Sequence, residues 1–271
     1  MTAAVLVNGI SPPDPLQALA VEDRGLHYGD GVFESALLAN GRVRWLEQHL
    51  RRLALGCERL GIAAPDAAAL RSDVQRLSGS AQRAVLKIVV SRGIGPRSYR
   101  PSSRSKTTRI VALYPAPPPP PTTQLALRWC EMRLGRNARL AGIKHLNRLE
   151  QVLAQAEWQD EAIIDGLMLD TEGELISGTS NNVFLVREGV LVTPDLRFSG
   201  VHGIMRAEVL RLAKELGIAV SEEPLWPHDV EAASEVFITN AVRGIRSVTE
   251  LGTLRWQGAP VADRLRKALD P

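Results

Sequence analysis

The alternation of apolar and polar positions divides the chain into strands and helices in mixed order. Ala4–Asn8 reads as a strand and Gly9 as a turn. Val32–Leu38 reads as a second strand, behind a Gly-rich stretch where Gly29 and Gly31 can take backbone angles closed to other residues. Leu46, Leu50, Leu53, Cys57 and Leu60 recur at steps of three and four, which predicts a helix ended by Gly61. Asp66–Leu77 is a further helix, and Ala84–Ser91 and Arg109–Tyr114 are strands. The proline run from Pro115 to Thr123 favours an extended, semi-rigid form and marks a linker. Beyond it, Leu125–Glu131 alternates as a strand, while Leu149, Val152, Leu153 and Ala156 keep helical spacing. Ala162–Asp170 and Glu174–Ile176 are strands around a turn at Thr171–Gly173. Val183–Val186 and Val190–Thr193 form a hairpin. Gly203 opens a helix through Val209, Leu212 and Leu216, closed by Gly217. Glu235–Thr239 is a strand, Leu254–Val261 a short hairpin or strand, and the C-terminus is helical.

This order predicts an α/β (α+β) protein of two domains, 1–115 and 122–271, joined by a Pro-rich linker at 116–121. Hydrophobic residues at 45% are ample for a core and argue against disorder. The net charge is only +3, the arginines alternate with acids, and aromatics at 4% leave few surfaces for stacking bases. Nucleic-acid binding is therefore not expected. Cys57 and Cys130 form neither a disulfide framework nor a zinc motif, and the five histidines lack ligand spacing. No apolar run reaches membrane length, and the N-terminal stretch lacks the basic start of a signal peptide. The expectation is a cytoplasmic protein with no membrane partner.

Candidate chemistry centres on Lys144. Lysine and arginine together number 33, yet only five are lysines: Lys87, Lys106, Lys144, Lys214 and Lys267. Where arginine is the default cation, a lysine between Ile143 and Leu146 suggests a group that must deprotonate. Asn147 is a fair N-cap, with Glu150 three residues on as in a capping box. Lys144 would then precede a helix start, whose positive end disfavours the ammonium form. Such a lysine is a usable nucleophile toward a carbonyl. An ordinary surface lysine at a helix start fits the same spacing. Likewise, the helix start at Gly203–Arg206 suits a phosphate but is equally a plain helix beginning. The arginine-rich loop after Ser91 reads either as a basic surface loop or as a substrate loop.

Resemblance adds to this. The stretch AGIKHLNRLEQVLA at 141–154 resembles the lysine segment of the aminodeoxychorismate lyases, within the class IV aminotransferase-like family of fold type IV pyridoxal-phosphate enzymes. DRGLHYGDGVFES at 23–35, HLRRL at 49–53, SRGIGPRSY at 91–99, RLGRN at 133–137, GTSNNVF at 178–184 and GIMR at 203–206 match the same family in order, so the resemblance spans nearly the whole chain. The lysine segment is the most specific to the lyases; the other blocks mark the wider family. The resemblance implies that Lys144 carries pyridoxal 5'-phosphate. It implies that Arg52, in H-x-x-R-L, contacts the phosphate, with the backbone N–H groups of Ile204 and Met205, and that Asn240 lies near it. Ser35 matches a hydroxyl close to the reacting atoms, and Phe33 and Glu34 match residues lining the same wall. Arg97 and Tyr99 match positions that meet substrate. A homodimer is implied too. The implied reaction converts 4-amino-4-deoxychorismate to 4-aminobenzoate and pyruvate in folate biosynthesis; the alternative is a D-amino-acid or branched-chain aminotransferase.

One position departs from the family pattern. Relatives place a glutamate before the segment aligned with Gly178–Asn182, where it pairs with the ring nitrogen of the cofactor. Here that position is Ser177, and Glu174 lies three residues off. A serine cannot stabilise a protonated ring as a carboxylate does. This weakens the case for transamination more than for the lyase, whose product gains aromaticity.

Overall fold

The structure, a computed structural model, describes residues 4–15, 18–79, 81–103, 105–118 and 125–269. Of the expected linker at 116–121, residues 119–121 lie outside the described residues. Contacts divide the chain into two compact units, Met1–Pro118 with Ile143–Asn147, and Pro119–Gly142 with Arg148–Pro271. Among the described residues no helix is long and apolar enough to cross a membrane.

The first unit is a five-stranded antiparallel sheet with helices on one face. Its elements are β1 (Ala4–Val7), α1 (Arg24–Tyr28), β2 (Gly31–Ala39), β3 (Arg42–Val43), α2 (Leu46–Leu60), α3 (Ala67–Ser78), β4 (Arg83–Ser91) and β5 (Thr108–Pro115). The strand order is β1-β5-β4-β2-β3. Successive strand residues point to opposite faces. One face of β2 and β4, with Val32, Ala36, Leu86, Ile88 and Val90, forms a core with Leu50, Leu53 and Cys57 of α2 and Leu70 and Val74 of α3. Gly56 lets α2 approach closely, because a Cβ there would lie 2.9 Å from Val32 Cγ1.

The second unit holds two five-stranded sheets. Its elements are β6 (Ala126–Trp129), α4 (Leu149–Gln155), β7 (Ile163–Leu169), β8 (Leu175–Gly178), β9 (Asn182–Arg187), β10 (Val190–Pro194), α5 (Ile204–Glu215), β11 (Val220–Glu223), α6 (Pro227–Glu231), β12 (Glu235–Asn240), β13 (Gly244–Ser247), β14 (Glu250–Leu251), β15 (Leu254–Arg255) and α7 (Pro260–Leu269). The sheet orders are β11-β10-β9-β12-β13 and β15-β14-β6-β7-β8. Leu127, Leu167 and Leu175 of one sheet share a core with Val183, Leu185, Val236 and Ile238 of the other. Phe184 and Phe237, opposite each other on β9 and β12, stack at 5.0 Å.

Two expectations are corrected here. The lysine segment, expected within 122–271, packs with the first unit: the Phe33 N–H donates to the Lys144 carbonyl and the Leu146 N–H to the Gly31 carbonyl, both at 2.9 Å. It extends the edge of the first sheet beside β2. The expected capping box also does not form. Helix α4 starts at Leu149 after Arg148, with no side-chain cap. Asn147 donates instead to the Gly29 carbonyl at 3.1 Å, and Glu150 accepts from the Gly135 N–H at 2.8 Å. Lys144 is thus placed by strand pairing rather than at a helix end.

Candidate active site

Val32 and His145 form an antiparallel bridge, which sets Phe33 opposite Lys144. Opposed residues in an antiparallel pair share a face. Lys144 Nζ lies 4.2 Å from the centre of the Phe33 ring. A cation over an aromatic face is held by roughly 0.5–2 kcal/mol, enough to bias where the ammonium sits. Ser35, two residues along β2, points to the same face as Phe33, and its partner in register is Lys87 of β4. Lys87 Nζ stands 4.8 Å from the Phe33 ring centre. One open sheet face therefore presents two amines, an aromatic ring and a hydroxyl. Lys87, to which the sequence assigns no role, alternates with the apolar Leu86 and Ile88 along β4, and that alternation is the signal for its face.

Glu34 does not share this wall, which corrects the expectation that it lines it with Phe33. Alternation turns it to the other face, where it is 1% exposed. There its carboxylate accepts two hydrogen bonds from Arg52, from Nε at 2.7 Å and Nη2 at 2.5 Å, and binds His49 Nδ1 at 2.6 Å. His49 and Arg52 reach it together because they sit one turn apart on α2. Burial works against the charge on Glu34. The attraction and hydrogen bonds of Arg52, then those of His49, outweigh it and hold its pKa below the ordinary carboxylate value. The Arg52 fork is fixed on this carboxylate.

Arg97 and Tyr99 lie on the loop after β4. Both are exposed, Tyr99 by 88%.

The remaining expected residues belong to the second unit. Helix α5 begins after Gly203 with no side chain capping its first turn and no acid within it. Ile204 and Met205 are buried there. A Cβ on Gly203 would lie 1.9 Å from Asn182 Oδ1, so any larger residue there would have to displace the Asn182 side chain. Asn240 Nδ2 donates to Asn181 Oδ1 at 2.7 Å, while its own Oδ1 accepts from the N–H groups of Val242 at 3.0 Å and Arg243 at 2.7 Å. Asn181 in turn donates to the buried carboxylate of Asp165, which also accepts from Thr179. Asp165 and Asn181 carry no local signal in the sequence, because no short-range pattern joins β7 to the residues just before β9. Ser177 is buried, and its hydroxyl donates to the Gly178 carbonyl at 2.8 Å. Glu174, the nearest acid in sequence, contacts Arg136 at 3.4 Å.

Within the second unit, the uncapped, buried start of α5 has the chemistry to hold a phosphate; within the first, strand pairing holds an amine that could meet an aldehyde.

Comparison with known proteins agrees. The model of the amino-transferase class IV family matches residues 31–251. The chain is 34% identical over 251 residues to a protein of Methanocaldococcus jannaschii named "Putative branched-chain-amino-acid aminotransferase", covering 91% of this chain and 87% of that one. It is 32% identical over 246 residues to the aminodeoxychorismate lyase of Vibrio harveyi, covering 90% and 89%. The crystal structure of 4-amino-4-deoxychorismate lyase from Pseudomonas aeruginosa superposes with a TM-score of 0.92 at 40% identity, covering 98% of this chain and 97% of that one. The chain belongs to the class IV amino-transferase family, whose enzymes use pyridoxal phosphate.

Proposed function

We propose that this enzyme is an aminodeoxychorismate lyase, converting 4-amino-4-deoxychorismate to 4-aminobenzoate and pyruvate. The likeness to the Pseudomonas aeruginosa lyase, at 40% identity over 98% of the chain, carries this choice. The face bearing Lys144, Phe33, Ser35 and Lys87 fits it. Bound pyridoxal phosphate supplies an aldehyde for the substrate amine and a ring that draws electrons from the amine-bearing carbon.

Lys144 would hold the cofactor, and its amine is the group that would take the proton from that carbon as general base. Arg52, the N–H groups of Ile204 and Met205, and Asn240 hold the phosphate. The substrate is a dicarboxylate, and Lys87 and Arg97, the latter beside Tyr99, are the cations offered to it. Loss of the proton is followed by cleavage of the ring carbon–oxygen bond. The enolpyruvate that leaves takes up a proton to become pyruvate, and Ser35 is the hydroxyl placed to relay it. Aromatisation of the remaining ring supplies driving force, which lessens the demand on a charged partner at Ser177.

The likeness to the Methanocaldococcus jannaschii protein favours a second reading, a branched-chain aminotransferase, and a D-amino-acid aminotransferase belongs to the same alternative. Ser177 argues against both, because transamination must stabilise a carbanion on the ring fully. A direct assay decides: purified protein, pyridoxal phosphate and aminodeoxychorismate, with both products quantified. Equal 4-aminobenzoate and pyruvate support the lyase. Neither product, with amino-group transfer from leucine or D-alanine, would overturn it. The same reading implies a homodimer, which sedimentation would test.

A further inference from the structure

We infer that Arg24 is a positioning residue for substrate, acting by holding the backbone of the loop that carries Arg97 and Tyr99. The inference rests on the reading above, in which that loop meets a substrate carboxylate. Arg24 is 3% exposed. A buried guanidinium is costly unless its donors are used, and here all three nitrogens are used, two of them on the loop. Nε donates to Asp30 Oδ2 at 2.8 Å. Nη1 donates to the Ser98 carbonyl at 2.5 Å and, at 3.4 Å, to that of Pro96. Nη2 donates to the Tyr99 carbonyl at 3.2 Å.

Aromatic contacts close the same clasp. The guanidinium covers the Tyr28 ring at 4.7 Å, and that ring meets the Tyr99 ring at 5.5 Å. Gly95 leaves room for the arginine stem, since a Cβ there would lie 2.8 Å from Arg24 Cδ. The Arg24 N–H also donates to the Gly93 carbonyl at 3.0 Å. Asp30, the anchor of the fork, is shared with Arg92. The loop backbone is thus fixed from inside while Arg97 and Tyr99 face outward. A loop ordered before substrate arrives spares the entropy of ordering it on binding. Lysine keeps the charge but cannot span these acceptors.

The test uses the holoenzyme carrying Arg24→Lys, with Gly95→Ala as a milder variant that presses on the arginine stem without removing a buried charge. Hydrogen exchange at the amides of Ile94, Gly95 and Arg97–Arg100 reads the loop, and lyase kinetics read its use. The expected result is faster exchange and a KM raised about tenfold, with kcat within about threefold and the bound-cofactor absorbance unchanged. Unchanged exchange in both variants would overturn the clasp. Faster exchange with an unchanged KM would overturn the positioning role. Arg97→Ala separates the two premises: it should raise KM with loop exchange as in the parent. If it leaves KM unmoved, the fault lies in assigning the loop to substrate and not in the clasp.

Discussion

Phe33 and Lys144 face each other across the edge of the first sheet, joined by a backbone hydrogen bond of 2.9 Å and by the ammonium 4.2 Å above the ring centre. The Lys144 amine is therefore held by a strand pair more than a hundred residues apart in sequence. Lys144→Ala should abolish both the visible absorbance of bound cofactor and turnover, while thermal unfolding stays close to the parent's. Phe33→Leu keeps the backbone bond and removes the ring face. It should retain cofactor and lower kcat about tenfold through looser placement of the amine. A Lys144→Ala protein with full lyase activity would remove the basis of the assignment.

The ion pair of Glu34 and Arg52 gives a pH dependence with a definite sign. The folded pKa of Glu34 is depressed below its ordinary value of 4.5. The unfolded chain thus binds more protons as pH falls, and the stability Glu34 contributes is present above 4.5 and lost as pH drops through the folded value. Glu34→Gln should cost about 2 kcal/mol at neutral pH, because half-buried Arg52 and buried His49 lose their carboxylate. Urea unfolding of parent and variant should converge as pH falls from 4.5 through the depressed folded value of Glu34. A constant difference down to low pH would show that packing, not charge, carries the effect. The variant should also bind pyridoxal phosphate more weakly while binding pyridoxal unchanged.

Much of this was legible in the sequence. The helix spacing of Leu46–Leu60 places His49 and Arg52 a turn apart, whereas the resemblance set Glu34 on one wall with Phe33, against the alternation of the strand that carries them. What could not be read is pairing between distant segments. Nothing local to Asn147 and Glu150 says that their side chains serve Gly29 and Gly135, so a capping box looked sound and was wrong. The same limit hid Lys87 beside Phe33 and the hold of Arg24 on Ser98 and Tyr99. Short-range periodicity reports which face a residue takes, not which other strand lies alongside it.

The two cysteines should be silent toward thiol reagents. Cys57 is 0% exposed and its thiol is pushed up to about 11 by burial. Cys130 is 3% exposed and pushed up to about 12, by burial first and then by the charges of Glu157 and Asp165. The thiolate is the reacting form. With an aromatic disulfide reagent at pH 8, the native protein should release almost no thiolate dye, and two equivalents should appear on unfolding. Rapid labelling of either thiol in the native state would contradict this packing.

Lys87 shares the Phe33 ring with Lys144, so its charge and its bulk need to be separated. Lys87→Met keeps the length of the side chain and removes the cation. On the lyase reading it should raise KM for aminodeoxychorismate about tenfold, the value of one exposed charge-assisted contact, and leave the cofactor absorbance intact. Lys87→Arg should recover part of the loss. If Lys87→Met instead lowers kcat alone, Lys87 acts on the chemistry at Lys144 rather than on substrate binding.

Ser177 offers the sharpest division between elimination and amino-group transfer. Its hydroxyl proton is committed to the Gly178 carbonyl at 2.8 Å, so the oxygen can accept a hydrogen bond but carries no charge to hold a proton on a neighbouring ring nitrogen. A cofactor beside it should keep that nitrogen unprotonated at neutral pH. With 15N-labelled pyridoxal phosphate, the parent should give the chemical shift of a neutral pyridine, and Ser177→Glu should move it toward the protonated form. The same substitution should raise amino-group transfer from leucine or D-alanine at least tenfold and change lyase turnover much less, since aromatisation already favours elimination. A protonated nitrogen in the parent would refute this account of Ser177. Strong amino-group transfer by the parent would tell directly for the aminotransferase reading.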